Sequence, residues 1–160
     1  MSRLLLSRMP DGSPEIFASI QGEGASMGVP STFVRLAVCN LRCSWCDTAY
    51  TWDWTRYRRA GHIIETSPEE TLCRVAAFAP KNVVITGGEP LVQRRAVRGF
   101  CESLKADGCR IEVETNGTVD PPAGMDWVCV SPKAGADLVV RRGHELKLVY
   151  PQAGAEPENF

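Results

Sequence analysis

Apolar residues come in short runs along this chain, separated by longer polar and glycine-bearing stretches. "STFVRLAV", Ser31–Val38, reads as a buried strand, with Arg35 set between apolar Val34 and Leu36. "NVVIT" (Asn82–Thr86), "RIEVE" (Arg110–Glu114), "WVCV" (Trp127–Val130) and "ELKLVY" (Glu145–Tyr150) read as further short strands. Two segments carry a helical period instead. "SPEETLCRVAAFA" starts with Ser67 as N-cap, Pro68 at the first helical position and Glu70 closing a capping box; apolar residues recur at Leu72, Val75, Ala76 and Ala79. "VQRRAVRGFCESLKADG" predicts a second helix that stops near Gly108. The order is strand, helix, strand, helix, strand, strand, strand. Strands separated by helices imply parallel crossovers.

The unusual loops all leave the carboxyl ends of these strands. The cysteine-bearing "VCNLRCSWCDT" follows Thr32–Ala37, "GGEP" follows Asn82–Thr86, "TNGT" follows Arg110–Glu114 and "SPK" follows Trp127–Val130. In a parallel barrel such ends share one face, where active sites are built. A complete eight-unit barrel needs about 250 residues. The chain has 160, so the expected fold is α/β, a partial parallel β/α TIM-like barrel in a single domain spanning residues 1–160.

Composition narrows the partners. Hydrophobic residues make up 44% and charged residues 23% of the chain, as in ordinary globular domains. A net charge of −1 argues against a nucleic-acid partner, which usually demands a basic excess, and favours a small molecule. No stretch approaches the length of a membrane span, and "RLLLS" is too short for a signal-peptide core. Seven cysteines, three of them clustered, do not resemble a secreted disulfide framework. The expected setting is the reducing cytoplasm.

Cys39, Cys43 and Cys46 carry the main chemical signal. Their C-x3-C-x2-C spacing suits three corners of a cuboidal iron–sulfur cluster, which is normally held by four thiolates. Three thiolates leave one iron free to bind something else. A zinc site completed by Asp47, a histidine or another cysteine remains the alternative from spacing alone. In "TGGEP", two glycines after a buried strand let backbone approach a ligand, with Glu89 as an anionic acceptor. The same residues also describe an ordinary tight turn with an acid at a helix N-terminus.

Taken together, these motifs resemble the radical S-adenosylmethionine (SAM) superfamily, with Cys39, Cys43 and Cys46 matching its cysteine motif and Gly87, Gly88 and Glu89 its GGE segment. More narrowly, "SIQGEGASMGVPSTFVRLAVCNLRCSWCDTAYTW", "VVITGGEPL", "IEVETNGT", "VSPK" and "ELKLVY" are similar, in order, to the 7-carboxy-7-deazaguanine synthase family. The resemblance covers Glu15 to Tyr150. It implies a lyase that converts 6-carboxy-tetrahydropterin to 7-carboxy-7-deazaguanine in queuosine and 7-deazapurine biosynthesis. It implies a homodimer with a 4Fe–4S cluster, SAM and Mg²⁺, and an electron donor such as flavodoxin. The implied chemistry starts with reductive cleavage of SAM. Hydrogen abstraction from the substrate, ring contraction and loss of ammonia follow.

The resemblance also assigns roles. Cys39, Cys43 and Cys46 hold the cluster, and Thr48 matches the Mg²⁺ ligand. Trp45, Cys46, Asp47, Gly88, Glu89, Ser131, Pro132 and Lys133 are the expected SAM contacts, with Glu114, Thr115 and Asn116 behind them. Ile20, Gln21, Gly22, Arg35 and Thr86 are the expected substrate contacts, joined by Glu23. Arg35 is either a clamp on the pterin carboxylate or a solvent-facing arginine on an alternating strand.

The remaining features take plainer readings. Cys73, Cys101, Cys109 and Cys129 are expected as small buried hydrophobes. Arg56–Arg59 reads as a solvated basic face, or a docking point for a reductase. Trp52 and Trp54 are expected to pack over the cluster loop, and His62 and His144 receive no role. Two departures stand out. Val38 occupies a position where the family often has glycine, and the family's usual C-terminal continuation does not follow "PQAGAEPENF". The expected barrel is therefore C-terminally truncated. The competing functions are a radical SAM activase acting on a partner protein and a non-catalytic iron–sulfur or zinc module.

Overall fold

The computed structural model describes residues 3–160. Eight strands form one sheet: β1 (Leu4–Ser7), β2 (Ile16–Ile20), β3 (Pro30–Leu36), β4 (Ile63–Thr66), β5 (Asn82–Gly87), β6 (Arg110–Thr115), β7 (Trp127–Val130) and β8 (Glu145–Leu146). The spatial order is β4-β1-β3-β5-β6-β7-β8, with β2 also paired to β3. From β3 through β8 the pairs are parallel, as expected of a partial barrel. The sequence pattern missed β1, β2 and β4, and these add antiparallel pairs. The fold is thus a parallel half-barrel carrying an antiparallel flank.

Both predicted helices form, with shifted ends. α1 (Arg59–His62) is a single turn, and α2 spans Pro68–Val75 rather than reaching Ala79. The capping box is present: Ser67 Oγ accepts from the Glu70 amide at 3.1 Å, and Glu70 Oε2 accepts from the Ser67 amide at 2.6 Å. α3 (Arg94–Ala106) follows a 3₁₀ turn at Pro90–Gln93. The last predicted strand is shorter than expected; only Glu145–Leu146 pairs as strand.

Alternation along the parallel strands sorts side chains to two faces. Val34, Leu36, Val83, Ile85, Ile111, Val113, Val128 and Val130 join Val97, Phe100 and Leu104 of α3 in one core. Fully burying each large apolar side chain is worth about 1.5–3 kcal/mol. The intervening residues Phe33, Arg35, Thr86, Glu114 and Cys129 line the opposite, concave side. Gln93 ties the layers together: Oε1 accepts from the Leu5 amide at 2.7 Å, while Nε2 donates to the carbonyls of Leu5 and Ala37.

No helix among the described residues is long and apolar enough to cross a membrane. All seven cysteines are free thiols. Cys101, Cys109 and Cys129 are buried as expected, but Cys73 is exposed because it faces outward from α2.

Candidate active site

The loops leaving β3, β5, β6 and β7 meet around a cavity of about 680 Å³, within the usual range for ligand pockets of about 300–1,000 Å³. Cys39, Cys43 and Cys46 line it together with Trp45, Asp47, Thr48, Gly88, Ser131 and Lys133. Gln21, Gly22, Glu23, Arg35, Thr86, Glu114, Thr115 and Asn116 line it as well. Residues from across the sequence therefore share one wall because each strand delivers its loop to the same end.

The cysteine loop is shaped by its neighbours. Burial pushes the Cys39 thiol up to about 11 and raises that of Cys43, which Lys133 opposes. Trp52 Nε1 donates to Cys46 Sγ at 3.3 Å, so Trp52 packs on the cluster loop. Thr48 Oγ1 lies 3.7 Å from the same sulfur. Val38, just before the first cysteine, has φ +74°, a left-handed conformation that a β-branched residue rarely adopts.

Gly88 is required by close approach. A Cβ there would lie 2.3 Å from the Val38 carbonyl oxygen and 3.0 Å from Cys39 Cβ. The cysteine loop and the GGEP loop are in direct contact, with the Glu89 amide donating to Val38 O at 2.9 Å. At the other side of the cavity, Lys133 Nζ donates to Ser131 Oγ at 2.7 Å and sits 5.8 Å from the Trp45 ring centroid. Burial lowers the Lys133 pKa.

Three expected contacts are placed elsewhere. Glu89 is 0% exposed. Its carboxylate accepts from the Asn116 amide at 2.6 Å, the Thr115 hydroxyl at 2.8 Å and the Leu91 amide at 3.0 Å. It stands beneath the cavity wall rather than on it, because it turns away where Gly88 turns in. Ile20 is 63% exposed and lies outside the cavity lining, as does Pro132.

Arg35 lies on the concave side. Its Nε donates to Glu15 Oε1 at 2.6 Å, and its side chain is 20% exposed. The solvent-facing alternative does not describe it. Thr86 Oγ1 donates to Glu114 Oε2 at 3.1 Å, Gln21 Nε2 donates to Glu114 Oε1 at 3.3 Å, and Lys147 Nζ reaches both Glu114 and Glu23. These ion pairs raise the Lys147 pKa against the opposing effect of burial.

Sequence reasoning passed over Phe33 and Lys147, which also line the cavity. Phe33 stacks on Phe17 of the paired strand at 5.3 Å and 12°. Its position two residues before Arg35 on β3 was the available signal. His62 packs against Tyr57 at 5.3 Å, and His144 stacks on Trp127 at 5.1 Å.

A half-barrel with three thiols at the mouth of its strands defines a radical SAM protein. The Radical SAM superfamily model matches residues 34–148. The chain is 46% identical over 158 residues to a 7-carboxy-7-deazaguanine synthase of Bradyrhizobium diazoefficiens, covering 91% of this chain and 74% of the relative. It is 41% identical to the Bordetella pertussis synthase at the same coverage. The crystal structure of QueE from Escherichia coli superposes with a TM-score of 0.73 at 27% identity, covering 91% of this chain and 70% of the other. The chain belongs to the 7-carboxy-7-deazaguanine synthase family.

Membership carries a 4Fe–4S cluster and SAM with it, and the donor set fits. Three thiols line one cavity wall, and no fourth cysteine and no histidine lines it among the described residues. That leaves a cuboidal cluster one coordination position for SAM.

Proposed function

We propose that this chain converts 6-carboxy-5,6,7,8-tetrahydropterin to 7-carboxy-7-deazaguanine with loss of ammonia, as a lyase of 7-deazapurine biosynthesis. The observation that carries the reading is one cavity lined by three cluster-type thiols, a glycine loop, Lys133, Thr48 and Arg35. Cys39, Cys43 and Cys46 would hold the 4Fe–4S cluster. When bound, the cluster supplies the electron that cleaves SAM to methionine and a 5′-deoxyadenosyl radical.

The chain's own residues position and shield the reactants. Gly88 offers backbone close to the cluster loop, where the methionine end of SAM would lie. Ser131 and Lys133 face it from the loop after β7, and Lys133 complements negative charge on that side. Trp45 and Asp47 border the same region. Glu89 acts indirectly, by fixing the Gly88 and Asn116 loops against each other.

On the substrate side, Arg35 holds the pterin carboxylate, and Gln21, Gly22 and Thr86 meet the heterocycle edge. Thr48 would offer a hydroxyl to Mg²⁺, an ion that commonly binds through few protein groups and keeps water. A homodimer, a cytoplasmic setting and a one-electron donor such as flavodoxin complete the reading; seven free thiols suit a reducing compartment.

The test is anaerobic turnover of the reconstituted protein with the pterin substrate, SAM, Mg²⁺ and a reductant. Formation of 7-carboxy-7-deazaguanine, detected by mass, is expected without any partner protein. SAM cleavage lacking that product would return the activase reading, and zinc without labile sulfide would return the non-catalytic one.

A further inference from the structure

We propose that Glu15 and Tyr50 are a positioning pair that aims Arg35 at the substrate carboxylate. The inference rests on the reading of Arg35 as the clamp on that group.

Glu15 immediately precedes β2 and is tied to β3 twice. The Arg35 amide donates to the Glu15 carbonyl at 3.0 Å, and Arg35 Nε donates to Glu15 Oε1 at 2.6 Å. Both side chains are largely buried, at 20% and 12% exposure. Tyr50 Oη donates to Glu15 Oε2 at 3.0 Å and lies 3.2 Å from Oε1. Glu15 is therefore gripped from two sides, by the strand and by the segment just after the cysteine loop.

What this grip leaves open matters most. A guanidinium carries five N–H donors in a planar fork. Glu15 takes the Nε edge, and neither terminal nitrogen of Arg35 has a hydrogen-bond acceptor among the described residues. Arg35 also lines the cavity. A flat guanidinium held at Nε, with both terminal nitrogens available, presents a two-pronged donor to an incoming carboxylate. A free arginine would have many rotamers to lose on binding; one held at Nε has already lost them.

The outer brace is aromatic. Tyr50 packs against Tyr57 at 6.5 Å and His62 at 6.4 Å, and these two meet each other edge-on. The segment after the cysteine loop thereby reaches the substrate end of the cavity through Glu15 without touching the substrate.

The test is ligand affinity, measured anaerobically on the reconstituted protein with SAM bound. The probes are 6-carboxy-tetrahydropterin and 6-methyl-tetrahydropterin, which lacks the carboxylate. Arg35→Met should abolish the preference for the carboxylated ligand. Glu15→Ala should weaken the carboxylated ligand about tenfold and leave the methyl ligand within about twofold. Tyr50→Phe should give a smaller loss of the same selectivity, and Glu15→Gln, which keeps an acceptor for Nε, should retain most of it. Unchanged SAM affinity in each variant verifies the fold. If Arg35→Met removes the preference while Glu15→Ala weakens both ligands equally or neither, the positioning role is overturned. If Arg35→Met itself affects both ligands alike, the clamp reading falls, and the positioning pair falls with it.

Discussion

The Glu89 carboxylate accepts the Asn116 backbone amide at 2.6 Å, joining the loop after β5 to the loop after β6. Burial raises the Glu89 pKa, while this bond and those from Leu91 and Thr115 pull it back. Removing one partner of a buried hydrogen-bonded group costs about 1–3 kcal/mol. Glu89→Gln places an amide donor against donors and should lose about that much in stability, read from the denaturant midpoint. A variant as stable as the parent would show that the carboxylate is not a strut.

Val38 holds a left-handed backbone at φ +74° beside the first cluster cysteine. Such a conformation costs a non-glycine residue roughly 1–2 kcal/mol. Val38→Gly should therefore stabilise the chain by up to about 1 kcal/mol after its own backbone entropy is subtracted. Val38→Ala, which keeps a Cβ, should gain less. Equilibrium unfolding of the two variants measures the difference.

The three loop thiols should be separable from the other four by iron content. Replacing Cys39, Cys43 or Cys46 with alanine should abolish cluster reconstitution, measured as iron and labile sulfide per chain. Cys73→Ala should leave both unchanged, because Cys73 is exposed on α2 and absent from the cavity.

Alkaline pH should weaken the fold through buried thiols outside the cysteine loop. Burial pushes Cys101 and Cys129 up to about 12. A raised folded-state pKa means that the unfolded chain loses these protons first. The stabilisation is complete below the ordinary thiol range and is lost as pH climbs from about 9 toward 12. Cys101→Ala should reduce that slope by about 1.4 kcal/mol per pH unit. Unfolding free energies from pH 8 to 11 test it; an identical slope in the variant would contradict it.

Phe33 offers a flat apolar surface to the cavity, backed by Phe17. Phe33→Ala should raise KM for the pterin by roughly tenfold, since an aromatic stack is worth about 0.5–1.5 kcal/mol beyond its buried area. Phe33→Tyr should be mild, and SAM affinity should stay put in both.

Much of this was legible in the sequence where one physical signal dominated. β5 and β7 were visible as short apolar runs, and β3 and β6 as apolar residues alternating with polar or charged ones. The capping box around Ser67 and Glu70 announced α2 before any fold was in hand. "LLLS" and "IFASI" flank no helix that would mark a parallel crossover, and their antiparallel partners, like that of "IIET", are set by tertiary pairing. The site behaved likewise. Spacing located the three thiols, yet Gly88 and Glu89 are adjacent in sequence and opposite in space. Only the backbone path decides which one meets the cavity. Glu15 and Tyr50 were unreadable because their meaning lies in a third residue, Arg35.

Glu145 has one more consequence. Its Oε2 accepts from the Ala25 amide at 3.1 Å and the Trp127 indole at 3.0 Å, and a Cβ on Gly24 would strike its carboxylate. Lys147 similarly reaches Glu23 at 2.7 Å. The loop carrying Gln21 and Glu23 is thus latched by residues 120 and 124 positions downstream. That latch can form only once the chain has been made through Lys147, and a contact of such span carries the entropy cost of closing a long loop. The mouth of the pocket is thus shared by two segments more than a hundred residues apart, so competence to bind depends on a non-local pairing and not on either segment alone.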